Sequence, residues 1–337
     1  MPAGKRALAP KKSKRKDEGK DRSDYKHHTQ RIDTNKRIDK EKINFLLQEI
    51  KRKKELQEIS DEFVVKELLN YLRQDHKAQK FLSQLKPLNP KSAQYKTILK
   101  EVRAKLRIVY GLFREDRDLS RREELISDLL AKAPSLTSNL LSAKTVLDYQ
   151  AIIEILKTHS STKERAGLYE KLYQDIFAIT GPPRTILDLG CGINPFSIPL
   201  MKLDSLRYYA YDLSVEEIEG LNDFFRLLSR INPEVIGKAE VLDILQFSRL
   251  PPADIAFLFK MTDVLEQGKG HKVTERILKL IPASFVVVSF PIKTMSGKKM
   301  NFPRRRWIEL MCKRLGYAFN LIESENELFY VLKKPTE

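Results

Sequence analysis

The chain has 337 residues, with 62 Lys+Arg against 45 Asp+Glu, for a net charge of +17. A mean hydropathy of −0.41 and the lack of any apolar run near the roughly 18 residues of a bilayer-spanning helix exclude a transmembrane reading. Two cysteines, Cys191 and Cys312, exclude a disulfide framework and a metal site of clustered thiolates. The length allows two domains. The cysteine usage, and a basic Met1–Lys16 stretch with no apolar segment after it, lead us to expect a cytoplasmic chain without a secretory signal. The positive excess favours a polyanionic partner, either nucleic acid or an acidic membrane surface.

Residues 1–42 hold 15 Lys+Arg and 7 Asp+Glu, a net of +8. They contain almost no large apolar side chains, so they cannot offset chain entropy by burial, and a disordered basic tail is expected. Such a tail serves solubility or tracks phosphates. The run Lys11-Lys12-Ser13-Lys14-Arg15-Lys16 also has the look of a nuclear-import signal, although such runs are common in ribosome-binding tails.

From Ile43 the apolar residues take helical spacing. Ile43, Leu46, Leu47 and Ile50 share a face, and Phe63, Leu68, Leu69 and Leu72 continue the pattern. After Pro87 and Pro90, Tyr95, Ile98, Leu99, Val102, Leu106, Val109 and Tyr110 mark a long amphipathic helix carrying Lys96, Lys100, Arg103, Lys105 and Arg107. Helices over Leu125–Leu130 and Val146–Leu156 complete a helical domain with basic faces, residues 43–157.

The texture changes for residues 158–337. A strand over Thr185–Leu189 runs into Gly190-Cys191-Gly192, with a helix expected from about Pro195. Strands follow at Tyr208–Asp212, Val241–Asp243, Ile255–Phe259 and Phe285–Phe290. Helices alternate with them at Val215–Leu228, Val273–Leu280 and Arg305–Leu315, before a terminal hairpin around Glu325-Asn326. This alternation predicts an α/β fold with a mostly parallel, doubly wound sheet.

The chemistry concentrates at the strand ends. In Asp188-Leu189-Gly190-Cys191-Gly192-Ile193-Asn194-Pro195, the glycines allow a ligand to lie against the backbone. A dinucleotide fingerprint wants a third glycine where Pro195 stands. Pro195 also removes an N–H from any anion site at that helix start. A ligand without phosphate, such as S-adenosyl-L-methionine, therefore fits better than a pyrophosphate. Asp212 ends the second strand, where a carboxylate accepts both ribose hydroxyls. Asp243 ends the third, within reach of an adenine amino group. Upstream lies His159-Ser160-Ser161-Thr162-Lys163-Glu164-Arg165. Ser161 or Thr162 suits a helix cap for a helix running to Phe177, while the Arg165 guanidinium suits the carboxylate of a methionine moiety.

These motifs resemble those of the 16S rRNA (guanine-1405 N7)-methyltransferases, the aminoglycoside-resistance rRNA methyltransferases. The heptad His159 to Arg165 matches the family's His-x-Ser-Thr-x-Glu-Arg, and Asp188 to Pro195 resembles its glycine motif. Leu258-Phe259-Lys260 with Leu265-Glu266-Gln267, Ser289-Phe290-Pro291 with Lys293 and Gly297, and Asn326-Glu327-Leu328 with Tyr330-Val331 resemble its later segments. The similarity spans roughly residues 60–335. Asp263 stands where the family usually has Pro. Ile292, Met295 and three consecutive arginines depart from its pattern near the place of the target base.

The resemblance implies a class I S-adenosylmethionine-dependent methyltransferase, Rossmann-like with a seven-stranded sheet, behind an N-terminal helical domain that binds rRNA or the ribosome. It implies S-adenosyl-L-methionine as cofactor and the small ribosomal subunit, through its 16S rRNA, as partner, with neither a metal nor a membrane. His159, Ser160, Ser161 and Arg165 would cradle the methionine end, with Gly190 beneath it beside Asp188. Asp212 would hold the ribose. Asp243 and Ile244 would flank the adenine, and Leu258 and Gln267 would complete the pocket. Guanine N7 carries an in-plane lone pair, so no general base is expected and positioning carries the catalysis. In duplex RNA this edge faces a deep, narrow groove, so the base would be flipped out. Lys293, Lys298, Lys299, Arg304, Arg305 and Arg306 form the expected RNA surface, with Trp307 either a platform or core. Lys293 or Lys260 suits guanine O6 or a phosphate. Two alternatives stand beside this reading: methylation of another RNA site, and a non-catalytic RNA-binding or ribosome-assembly factor.

Overall fold

The computed structural model describes residues 40–84, 87–110, 119–132, 149–266, 270–294 and 298–335. Residues 1–39 of the expected tail lie outside it, while Lys40–Lys42 are already the first turn of a helix. Helix α1 (Lys40–Lys51) buries Ile43, Leu46, Leu47 and Ile50, the face read from the spacing. Helix α2 (Asp61–Gln74) starts where Ser60 Oγ accepts the Phe63 N–H at 3.3 Å, an N-cap that satisfies an otherwise orphaned donor. After α3 (His76–Leu82), helix α4 (Ala93–Tyr110) lays Tyr95, Ile98, Leu99, Val102 and Leu106 into a core shared with the first two helices.

Helices α5 (Leu119–Lys132), α6 (Tyr149–Leu156), α7 (Ser160–Lys163) and α8 (Tyr169–Thr180) follow. The continuous helix expected from Ser161 to Phe177 is broken. Arg165 N–H donates to Thr162 O at 3.0 Å, Leu168 N–H donates to Arg165 O at 2.7 Å, and α8 starts afresh at Tyr169. The break carries the Arg165 side chain inward, where it is buried.

Seven strands form one sheet: β1 (Thr185–Leu189), β2 (Leu206–Asp212), β3 (Val235–Val241), β4 (Ala253–Phe259), β5 (Ala283–Pro291), β6 (Ala318–Glu323) and β7 (Glu327–Lys333), in the order β3-β2-β1-β4-β5-β7-β6. The first five are parallel, and β7 runs antiparallel between β5 and β6. Helices α9 (Val215–Ile231), α10 (Thr262–Leu265), α11 (Lys272–Leu280) and α12 (Arg306–Leu315) complete the described elements. The central strands β1, β4, β5 and β7 are buried on both faces. Along β4, Ile255, Phe257 and Phe259 enter one core while Ala256 and Leu258 enter the other, the period-two alternation of a strand. Strand order reverses between β1 and β4, and open α/β sheets bind their ligands outside the carboxyl ends at such a point.

Two local features differ from expectation. The segment after the glycines is a 3₁₀ turn, Asn194–Met201, with Pro195 near its start and Pro199 inside it, where an α-helix was expected. The third strand spans Val235–Val241, so Asp243 lies in the turn beyond it.

Residues 38–337 cluster as one compact unit. The helices before the sheet are fastened to its edge by an Ile59–Ser214 bridge, with Ser60 N–H on Leu213 O at 3.2 Å and Val215 N–H on Glu58 O at 3.1 Å. Among the described residues, no helix is long and apolar enough to cross a membrane.

Candidate active site

The carboxyl ends of β1, β2 and β4 open into a cleft lined by residues from both sides of the glycine turn. Gly190 floors it with φ +73°, and a Cβ there would stand 2.3 Å from Met261 Sδ. Only glycine meets both conditions without displacement. Gly192 lies under His159, whose Nε2 would be 3.6 Å from a Cβ at that glycine.

Asp212 joins the strand end to the glycine turn. Its Oδ2 accepts the Gly192 N–H at 2.9 Å, and its Oδ1 accepts the Leu213 and Ser214 N–H groups at 2.7 and 3.1 Å. Burial, reinforced by the Glu217 carboxylate, pushes its pKa up from 3.8 to about 6, against the pull of these N–H donors. Asp188 is likewise raised by burial to about 6, although Tyr208 Oη donates to its Oδ2 at 2.7 Å and Asn194 Nδ2 at 2.8 Å. Burial also pushes the Cys191 thiol well above its ordinary range.

Arg165 is the centre of a buried polar network. Its Nε pairs with Glu327 Oε2 at 3.1 Å and donates to Ser161 O at 3.1 Å, and its Nη1 donates to Asn194 Oδ1 at 3.3 Å. The guanidinium lies 4.8 Å from the centre of the Phe259 ring. Ser289 Oγ donates to the other Glu327 oxygen at 2.7 Å, and Tyr169 Oη to Asn194 at 2.7 Å. The charge expected to meet a ligand carboxylate is therefore already faced by an internal one.

His159, Ser161, Arg165, Asp188, Gly190, Asp212, Asp243 and Ile244 all line the cleft. Ser160 opens α7 and is not among the lining residues. Leu258 is fully buried in the opposite core, because strand alternation points it away while its neighbour Phe259 faces the cleft. Gln267 lies outside the described residues. The sequence reading missed Phe63 and Lys66 of α2. Phe63 lines the cleft, and Lys66 forms an ion pair with Asp243, whose Oδ1 also accepts the Leu245 N–H at 2.9 Å. Glu217, Leu245, Met261 and Leu265 were also missed and line the walls.

The residues suit S-adenosyl-L-methionine better than a dinucleotide. A carboxylate stands at the end of β2 for a diol, Ile244, Leu245 and Leu265 offer apolar walls for a flat base, and a 3₁₀ turn replaces the α-helix whose N-terminus would hold a pyrophosphate.

The family model for Ribosomal RNA methyltransferase (FmrO) matches residues 92–331. The chain belongs to this family. Among similar proteins, a 16S rRNA (guanine(1405)-N(7))-methyltransferase of Proteus mirabilis is 29% identical over 247 residues, covering 71% of this chain and 85% of that one. An enzyme of the same name from Micromonospora rosea is 30% identical over 218 residues, 60% of this chain and 75% of the other. In fold, the chain is similar to the crystal structure of 16S rRNA methyltransferase RmtF in complex with S-adenosyl-L-homocysteine. The TM-score is 0.65 at 20% identity, covering 88% of this chain and 99% of that one. It is also similar to 16S rRNA methylase RmtB, with a TM-score of 0.59 at 21% identity over 87% and 98% of the two chains.

For a ribosomal RNA methyltransferase, the exposed cations matter as much as the cleft. Lys298, Lys299 and Arg306 are exposed and form no ion pair within the described residues. Arg304 is exposed but pairs with Glu309 at 2.8 Å. Lys293 donates to Asn326 Oδ1 at 2.6 Å. Arg305 departs from the expected RNA surface. It turns inward over the Phe290 ring, and its Nη2 donates to Pro291 O at 3.1 Å. Trp307 is half-buried, stacked on His271 with centroids 3.8 Å apart and edge-on to Phe290, so it packs as core. The basic face of α4 is also smaller than its sequence suggests. Arg103 donates to main-chain carbonyls of α1, Lys105 pairs with buried Glu67 at 2.6 Å, and Arg107 pairs with Glu55 at 2.6 Å. Lys96 and Lys100 remain exposed.

Proposed function

We propose that this ribosomal RNA methyltransferase transfers a methyl group from S-adenosyl-L-methionine to N7 of a guanine in the decoding region of 16S rRNA, acting on the small ribosomal subunit, and that the product confers aminoglycoside resistance. The carrying observation is the cleft itself. The motif residues His159, Ser161, Arg165, Asp188, Gly190 and Asp212, scattered through the sequence, line one cavity at the switch point of the sheet. The relatives named for this reaction support the choice of base and atom.

S-adenosyl-L-methionine supplies the electrophilic methyl group. The chain's residues bind and orient. Asp212 accepts the ribose hydroxyls, Ile244 and Leu245 flank the adenine, and His159, Ser161 and the Arg165 network shape the methionine end. The acceptor nitrogen already presents its lone pair, so no side chain needs to hold or move a proton. Helices of residues 43–157 dock the subunit, with Lys96, Lys100, Lys298, Lys299 and Arg306 meeting phosphates, which set position without reading sequence.

Asp212→Ala should lower cofactor affinity about ten- to a hundred-fold, the loss of a charge-assisted hydrogen bond worth about 1.5–3 kcal/mol. Calorimetry with S-adenosyl-L-methionine checks it, alongside a melt that remains cooperative. The ionised carboxylate is the accepting form, so wild-type affinity should rise as pH rises through about 6. The effect on stability runs the other way. With folded values raised above 3.8, the contribution of Asp188 and Asp212 is fully present below the unfolded pKa and is lost as pH rises through about 6.

Primer-extension mapping of modified bases in small-subunit RNA, after incubation with the protein and cofactor, tests the reaction. Intact subunits should be methylated far faster than extracted rRNA or a decoding-site hairpin, and binding should weaken steeply with salt, about 0.7–0.9 log units per log of salt for each phosphate neutralised. Equal rates on hairpin and subunit would sink the docking role of the helices. A modified base elsewhere would move the enzyme to another RNA site. No transfer at all, with cofactor bound, would leave the non-catalytic reading.

A further inference from the structure

Phe302 is 86% exposed, more than any other large apolar side chain among the described residues. Its neighbours are basic, with Lys298 and Lys299 before it and Arg304 and Arg306 after it, all four exposed. Its segment is pinned at both ends. Met300 N–H donates to Ile292 O at 2.8 Å on one side. On the other, Arg305 N–H donates to Tyr330 Oη at 2.7 Å and Arg305 Nη2 to Pro291 O at 3.1 Å. Pro303 disfavours helical backbone at the residue before it. The ring is thus held out in solvent by a fixed segment, while Phe290 and Trp307 nearby pack edge-on into the core.

The segment follows the carboxyl end of β5, the strand beside β4. A chain of polar contacts links it to the cleft. Lys293 Nζ donates to Asn326 Oδ1 at 2.6 Å, Asn326 Nδ2 donates to Glu164 O at 3.5 Å, and Glu164 pairs with Lys260 on the cleft wall. An aromatic face ringed by cations is how proteins hold unstacked bases, since every base has a π-face and its phosphates are anionic.

We propose that Phe302 stacks on a nucleobase of the substrate RNA next to the target guanine, with Lys298, Lys299 and Arg306 on the flanking phosphates. This rests on the rRNA-methyltransferase reading above. A base drawn out of its stack exposes the faces of its neighbours, and the ring covers one of them. Its role is positioning, not contact with the reacting atoms.

The test uses the full chain with Phe302→Ala, Phe302→Leu and Phe302→Trp, measuring kcat and KM for methyl transfer to purified small subunits. Phe302→Ala should lower kcat/KM about ten-fold or more. Phe302→Leu should stay low and Phe302→Trp should return close to wild type, with calorimetric affinity for S-adenosyl-L-methionine and the melting curve unchanged in all three. A benzoylphenylalanine photoprobe at position 302 should crosslink to 16S rRNA on irradiated subunits. Wild-type kinetics in Phe302→Ala, rescue by Leu equal to that by Trp, a crosslink to a ribosomal protein, or no crosslink would each overturn the proposal while wild-type transfer, and with it the reaction, stood. Absence of transfer by the wild-type protein to any RNA would instead remove the reading beneath it.

Discussion

Arg165→Ala should lower folding stability by about 3–5 kcal/mol, the cost of taking one partner from a buried ion pair. Glu327 is fully buried and would be left with the Ser289 hydroxyl donating to it and no facing cation among the described residues. The same guanidinium holds the Ser161 carbonyl and the Asn194 side chain, so α7 and the glycine turn lose a common anchor. Cofactor affinity should fall in the same variant, because both segments line the cleft. A urea titration of wild type, Arg165→Ala and the double variant Arg165→Met/Glu327→Gln checks the pairing, since removing both charges should recover much of the loss. An Arg165→Ala protein that unfolds at the wild-type midpoint would show that the guanidinium serves only the ligand. From the heptad alone, Arg165 reads as a residue that meets the ligand carboxylate; in the structure it lines the cleft and is also faced by Glu327 of the chain itself.

Arg122→Ala should be comparably damaging, about 3–5 kcal/mol, although Arg122 lies far from the motifs in sequence. Its Nη1 pairs with Glu217 at 2.9 Å, and its Nε and Nη2 donate to the Thr158 hydroxyl and carbonyl at 2.8 and 3.0 Å. Both charged side chains are 7% exposed, so little water screens them. The pair ties α5 to α9, and Leu129 of α5 belongs to the same core as the sheet. Deleting residues 1–130 would therefore remove side chains that pack in the same core as the sheet. Arg122→Ala also carries a chemical signature. Glu217 already raises the Asp212 pKa, and losing the cation that faces Glu217 should raise it further. The pH at which cofactor affinity is half-maximal should then move upward from about 6. A profile that weakens without moving would assign Arg122 to structure alone.

What could be read in advance follows from the range of the forces involved. Buried parallel strands such as β4 and β5 are continuous apolar runs, and Asp188 and Asp212 stand at the ends of two strands flanking a glycine turn, so local pattern sufficed. Strand β3 is an edge strand with Ile236 54% exposed and Gly237, Lys238 and Glu240 within it, so its hydrophobic signal was too weak to place, and Asp243 was put on a strand it only follows. Leu258 was placed in the pocket by its motif, but a one-residue step along a strand changes the face. Lys66 with Asp243, Arg165 with Glu327 and Arg122 with Glu217 join residues far apart in sequence, and no spacing rule foretells such pairs.

The most consequential of these pairs joins Lys66 to Asp243 at the cleft wall. Phe63 and Lys66 stand on one helix, α2, and touch the cleft from outside the sheet. Whatever fills the cleft therefore also bears on a helix of the part proposed to dock the subunit. Linkage makes the relation reciprocal: if cofactor strengthens the hold on the subunit by some factor, the subunit must strengthen the hold on cofactor by the same factor. If those helices dock the subunit as proposed, a seated enzyme would hold its cofactor differently from a free one.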